Sequence, residues 1–243
     1  MQSGLKLWPG FPFRRITSAW GIALGDHGVT LVCLGRSAAD VRVLKAVHLL
    51  PPAWAQASDG LHDWLVQHLA EASAQEVRRH RRLVLALPMD RCQSGELDCP
   101  IALQPEAVQA EVQLEAAQSL NVDAQEVSFD FELHATSNPL MRRLHWLACL
   151  RSEAHAWHRH TRAAGWRLLA IEHQEQAARR AVQALRGGAR SCLTQPQQDW
   201  QFHGAGEDGL MTNALPDDLG SSMRGTPAWA WLCACGAGLR ALS

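Results

Sequence analysis

Gly21-Ile22-Ala23-Leu24-Gly25-Asp26-His27-Gly28-Val29-Thr30-Leu31-Val32 is two apolar runs joined by a short turn of Gly, Asp and His. Apolar and β-branched residues bounded by Gly and Asp are the pattern of a strand, a tight turn and a returning strand. Residues 19–24 and 29–34 form the first two strands. Gly35-Arg36-Ser37-Ala38-Ala39-Asp40 separates them from a third at 41–49, and Pro51-Pro52 closes the group. An antiparallel meander is therefore predicted at the start of the fold.

Beyond the meander the apolar spacing changes period. Leu61, Trp64, Leu65, His68 and Leu69 share one face of a predicted helix, with Asp59 placed to cap it. Residues 84–87 read as a short buried strand ending at Pro88. Pro105 suits a first helical position, and Val108, Val112, Ala116 and Leu120 follow on one stripe. Residues 127–133 alternate, with Phe129, Phe131 and Leu133 on one side and Ser128, Asp130 and Glu132 on the other. Residues 144–150 are uniformly apolar, as in a central strand. Ser152 is the expected cap of a helix ending at Gly165, and 166–171 form another strand. A further helix carries Ala177, Ala178, Ala181, Val182 and Leu185 before Gly187-Gly188. From 189 to 226 periodicity is lost, which reads as loop. Residues 227–242 read as a closing helix broken at Gly236 and Gly238. The order describes an α/β or α+β chain of two modules.

Composition narrows the function. The 243 residues are 47% hydrophobic and 19% charged, an ordinary globular balance. A net charge of −1 argues against nucleic-acid binding by bulk electrostatics. The seven Cys stand at 33, 92, 99, 149, 192, 233 and 235 and form no CxxC pair. Reduced thiols in a cytoplasmic protein fit this better than a disulfide framework. Cys92 and Cys99 are expected to bracket a loop, close to each other but with no need of a bond. Residues 1–18 hold Lys6, Arg14 and Arg15 without the apolar run of a signal peptide, and no stretch of eighteen apolar residues occurs. Any membrane role is thus expected to pass through a partner.

Chemistry-bearing motifs are few. His155, His158 and His160 fall on one helix, but no Cys or acidic residue is spaced to complete a metal site, so a solvated helix face is expected. Cys233-Ala234-Cys235 reads as small buried apolar residues. The run Arg78-Arg79-His80-Arg81-Arg82 reads as a solvated helix end, with no aromatic platform beside it. There is no GxSxG, GxxxxGK[ST] or HExxH. No enzyme activity is expected on these grounds.

The opening stretch resembles the first phosphate loop of actin-like ATPases. In particular it resembles the PilM family of type IV pilus assembly proteins, relatives of the division protein FtsA, whose pattern there is roughly GIDIGxxxVKLV. The likeness continues in order through Leu83-Val84-Leu85-Ala86-Leu87-Pro88 and Glu111 to Leu133. It then runs through Leu147-Ala148-Cys149, Gly165-Trp166-Arg167-Leu168 and the final Ala234-Cys235-Gly236-Ala237-Gly238-Leu239-Arg240. The resemblance implies a truncated actin-like (ribonuclease H-like) fold with an inserted α/β (SHS2-type) subdomain. Residues 19–82 and 170–243 would build the first lobe and 83–169 the insert. About forty residues between Leu185 and the closing helix leave the second lobe largely missing.

The resemblance also implies a function in fimbrial biogenesis. The chain is expected to be a cytoplasmic adapter, peripheral to the inner membrane, that holds the N-terminal tail of a PilN-like membrane protein. Gly25, Asp26, Gly28 and Gly236 would be remnants of the nucleotide loops. Ala23 replaces the family's metal-handling Asp, and Thr30 replaces its Lys. A methyl cannot hold magnesium through water, so neither ATP nor Mg is expected as a cofactor. Rival readings are a nucleotide-binding ATPase of the PilM/FtsA type with a compact second lobe, the cytoplasmic L-type component of type II secretion, and an unrelated α/β protein.

Overall fold

A computed structural model describes residues 17–25, 28–37, 40–53, 58–76, 81–203, 223 and 226–243. Asp26 and most of the basic run (78–80) lie outside them, as does most of the segment between 204 and 225. The meander is β1 (Thr17–Gly25), β2 (Gly28–Arg36) and β3 (Asp40–Leu49), paired antiparallel with Gly25 opposite Gly28. Gly28 has φ +133°, and a Cβ there would lie 2.4 Å from the Leu49 carbonyl, so only glycine suits this hairpin. Helix α1 (Ser58–Gln75) leads to β4 (Arg82–Leu87), which runs parallel to β1. Later in the chain β8 (Arg167–His173) runs parallel to β4. A short β9 (Gln201–His203) pairs with β3, giving the order β8-β4-β1-β2-β3-β9. Three antiparallel strands followed by two parallel ones is the ribonuclease H-like order of actin-like folds.

Each face of this sheet carries its own core. Trp20, Ile22 and Leu24 face α1 and α3 (Arg151–Ala163). Trp166 meets Trp20 edge-on at 5.6 Å and donates from Nε1 to the Leu69 carbonyl at 2.7 Å. Ala19 and Ala23 face the other way, toward α4 (Gln174–Ala184) and the closing helix α6 (Pro227–Leu242). The alternation of large and small residues along β1 sets how near each layer comes. A Cβ at Gly21 would stand 1.9 Å from the Ala234 carbonyl oxygen, and one at Gly236 1.7 Å from that of Ala177. Helix α6 is therefore continuous through Gly236 and Gly238, contrary to the break expected there. Close packing outweighs the roughly 1 kcal/mol that a helical glycine costs relative to alanine.

The second sheet, β5-β7-β6, comprises β5 (Cys92–Pro100), β6 (Val127–Ala135) and β7 (Met141–Leu150), with β7 central as its apolar run suggested. Helix α2 (Pro105–Leu120) covers one face through Val108, Val112 and Ala116. It starts on Pro105 and ends at Asn121 in the left-handed conformation. Five expectations change. Residues 92–99 are a strand, so Cys92 and Cys99 sit near its two ends, roughly 23 Å apart at about 3.3 Å per residue. Ser152 lies inside α3, whose cap position is Leu150, and Asp59 lies inside the first turn of α1. Residues 189–203 are not all loop: α5 (Gly188–Thr194), a 3-10 turn (Gln197–Asp199) and β9 lie within them, with Trp200 and Phe202 fully buried. The boundaries drawn at 83 and 169 fall within β4 and β8, which both belong to the larger sheet.

Gly236→Ala is expected to destabilise the protein by about 2–4 kcal/mol, because backbone must move to admit the methyl. Gly25→Ala, whose Cβ would lie 3.6 Å from its nearest neighbour, is expected to stay within about 0.5 kcal/mol of the parent. Urea unfolding followed by circular dichroism measures both.

Candidate functional site

Two hollows combine several elements. The first lies at the carboxyl ends of β1, β3, β4 and β8, with a volume of about 470 Å³. Gly25 and Gly28 line it, as do His48, Met89, Asp90, His173, Glu175 and Trp229. Two helices begin at its wall. His173 caps α4 by accepting from the Glu175 amide at 3.2 Å, and Thr226 Oγ1 caps α6 by accepting from the Trp229 amide at 3.2 Å. Gln174 Nε2 donates to the Leu24 carbonyl and ties α4 to the end of β1.

Gly25 and Gly28, two of the four sequence candidates, thus share one hollow, while Asp26 lies outside the described residues. Gly236 stands apart: it is the contact point between α6 and α4, required for packing and lining no hollow described here. The two substituted loop positions are inside the fold. Ala23 is fully buried in the core under α6. Thr30 is also fully buried, its Oγ1 2.9 Å from Nδ1 of His48. Among the described lining residues there are two carboxylates, Asp90 and Glu175, and no Lys or Arg.

The second hollow is a trough between the two sheets. Leu169, Ala170 and Ile171 of β8, Phe129 of β6, Leu147 of β7 and Arg240 of α6 are among the residues enclosing about 250 Å³. It continues along β6 into a more polar depression of about 440 Å³ with Arg151 and His155 on its wall. Strand β8 is outermost in its sheet, and its residues 168–171 are only half-buried. Among the described residues, one row of its backbone N–H and C=O groups has no ladder partner, and the trough opens beside it.

Arg240 is held from beneath. Glu172 on β8 is fully buried and meets Arg180 of α4 at 2.8 Å and Arg240 at 3.2 Å. Arg180 also donates to the Gly236 carbonyl at 3.0 Å. Burial pushes the Glu172 carboxyl above its ordinary range, against the pull of the two guanidiniums. The triad joins β8, α4 and α6 behind the trough.

The histidine group takes no common role. His155 lines the depression, His158 is exposed, and His160 stacks on His62 of α1 at 5.0 Å. No three His, Cys, Asp or Glu among the described residues are grouped to hold a metal. The trough residues escaped sequence reading because β6, β7, β8 and α6 are far apart in the chain. The half-apolar pattern of β8 was the one available signal.

No known protein family and no curated protein matches the chain. Among solved structures it is similar to a chain of a PilM–PilN type IV pilus biogenesis complex. That match has 17% identity and a TM-score of 0.52, over 66% of this chain and 48% of that one. The chain thus spans about half of that relative. It is also similar, at 13% identity and a TM-score of 0.44, to the cytoplasmic domain of EpsL, an inner membrane component of the type II secretion system of Vibrio cholerae. That match covers 66% of this chain and 59% of that one. The fold is accordingly an actin-like α/β fold with an inserted α/β subdomain.

Glu172→Gln is expected to cost about 1–3 kcal/mol. It leaves two guanidiniums without their carboxylate, at sites where each is about one third exposed and so partly hydrated. The shift in urea midpoint relative to the parent reads the effect directly.

Proposed function

We propose that this protein is a cytoplasmic adapter of type IV pilus biogenesis that captures the N-terminal tail of a PilN-like inner-membrane protein and does not hydrolyse ATP. The observation that carries this reading is the trough. It joins an unpaired strand edge to apolar side chains from both sheets. An extended peptide laid along β8 would complete that strand's hydrogen bonds, while alternate side chains fill the pockets beside Leu147 and Ile171. The structure found similar is a complex named for PilM and PilN, which supports a PilN-like partner. No described helix is long and apolar enough to cross a membrane, so attachment to the inner membrane rests on the partner in this reading.

The absence of hydrolysis is argued from Ala23. Catalysis in this fold would need a carboxylate to hold metal and water, and this position offers only a methyl sealed under α6. A second reading, a nucleotide-binding protein of the same fold, is favoured by the hollow at Gly25 and Gly28 with two helix N-termini at its wall. Titration with mant-ATP and magnesium separates the two: micromolar binding favours the second.

A tail burying roughly 400 Å² of apolar surface gains at most ~10 kcal/mol, and ordering it offsets much of that, so micromolar affinity is expected. Calorimetry with a synthetic peptide of the partner's first dozen or so residues measures it. Leu147→Asp should weaken binding at least about tenfold, a loss of about 1.4 kcal/mol, with the far-ultraviolet spectrum unchanged. No heat at 100-fold above the micromolar range, from folded protein, would overturn the reading.

Phosphate release from ATP is expected to stay at background with magnesium present. Turnover that disappears in Gly25→Trp would show the Ala23 argument wrong.

A further inference from the structure

Cys92 on β5 lies directly opposite Cys149 on β7 in the antiparallel ladder. Residues so paired put their side chains on the same face of the sheet, with Cα atoms about 4.5–5.5 Å apart. Disulfides form over Cα separations of about 4.4–6.8 Å, so this backbone already has the spacing a bridge requires. Both residues line the trough, Cys149 6% exposed and Cys92 1%. Both thiols are free, and Cys92 Sγ lies 3.4 Å from the Pro88 carbonyl, within reach to donate to it.

We propose that Cys92 and Cys149 are an oxidation site, closed by a peroxide into a cross-strand disulfide in the lining of the trough. The thiolate of Cys149, the more exposed of the two, attacks one peroxide oxygen. The O–O bond breaks, hydroxide leaves and takes a proton, and a sulfenic acid remains. Cys92 then attacks that sulfur, the S–S bond forms, and the S–O bond breaks to release a second water. The two thiols supply two electrons and two protons, and one peroxide becomes two waters. Burial pushes Cys92 up to about 12 and Cys149 up to about 11, so few thiolates exist at neutral pH and the reaction is slow. Its rate then depends on access through the trough. Only that dependence rests on the peptide reading; formation of the bridge does not.

The experiment treats the full-length protein with hydrogen peroxide, alkylates the remaining thiols and maps the peptides by mass spectrometry. A linked Cys92–Cys149 pair lighter by two hydrogens, retained in Cys99→Ala and lost in Cys149→Ser, is the expected result. Folded protein in which both thiols still alkylate, or in which each ends as a separate sulfinic acid, would overturn the proposal. Adding the tail peptide at about ten times its Kd should slow bridging roughly tenfold, since about a tenth of the troughs stay open. Bridging at an unchanged rate, with calorimetry showing the peptide bound, would place the tail elsewhere and leave the oxidation site standing.

Discussion

Helix α6 lies so near β1 that the Ala234 carbonyl oxygen occupies the space a Cβ at Gly21 would take. On its other flank α6 meets α4 with Gly236 against the Ala177 carbonyl. These contacts between backbones leave no room for side chains, which is why the helix-facing stripe of β1 runs Ala19, Gly21, Ala23. Much else follows from that seat. With the helix in place Arg240 reaches Glu172, Thr226 and Trp229 reach the hollow at the strand ends, and the face of β1 bearing Ala23 is sealed. Ala23, fully buried on that stripe, is one of the small side chains this packing uses.

The trough is shaped by a different constraint. A six-stranded sheet must end somewhere, and β8 is its outermost strand beside the insert. Exposed strand edges are usually covered or blunted because they recruit other chains. Here the second sheet stands beside the edge without pairing to it, and the space between takes apolar side chains from both. The buried Glu172 with its two arginines anchors β8 from behind. The edge strand is thereby tied to α4 and α6 behind it, as capture of an extended segment along it would need.

How far the sequence could be read varied with the kind of pattern. The meander, α1, α2, β6, β7 and α4 were legible because burial on one face imposes a period of two or 3.6 residues. Strand β5 was not. Its stretch Gln93-Ser94-Gly95-Glu96 carries residues depleted in strands, and pairing with β7 overrides that preference. Strand β9 is three residues long, too short for any period, and is anchored by Trp200 and Phe202. The glycines of α6 signalled a break because local propensity knows nothing of the neighbouring backbone they admit.

By itself the sequence determined the order of most strands and helices, from the meander to α4, and the identity of Ala23 and Thr30 in the opening stretch, because those rest on local periodicity and on residue identity. Gly25 and Gly28 were legible as the ends of the turn between the first two strands for the same reason. Only the tertiary structure decided that Gly236 serves packing, that β8 is an edge strand among the described residues, and that Phe129, Leu147, Ile171 and Arg240 line one trough. Those facts depend on contacts between segments far apart in the chain, and no local pattern encodes the distance between them.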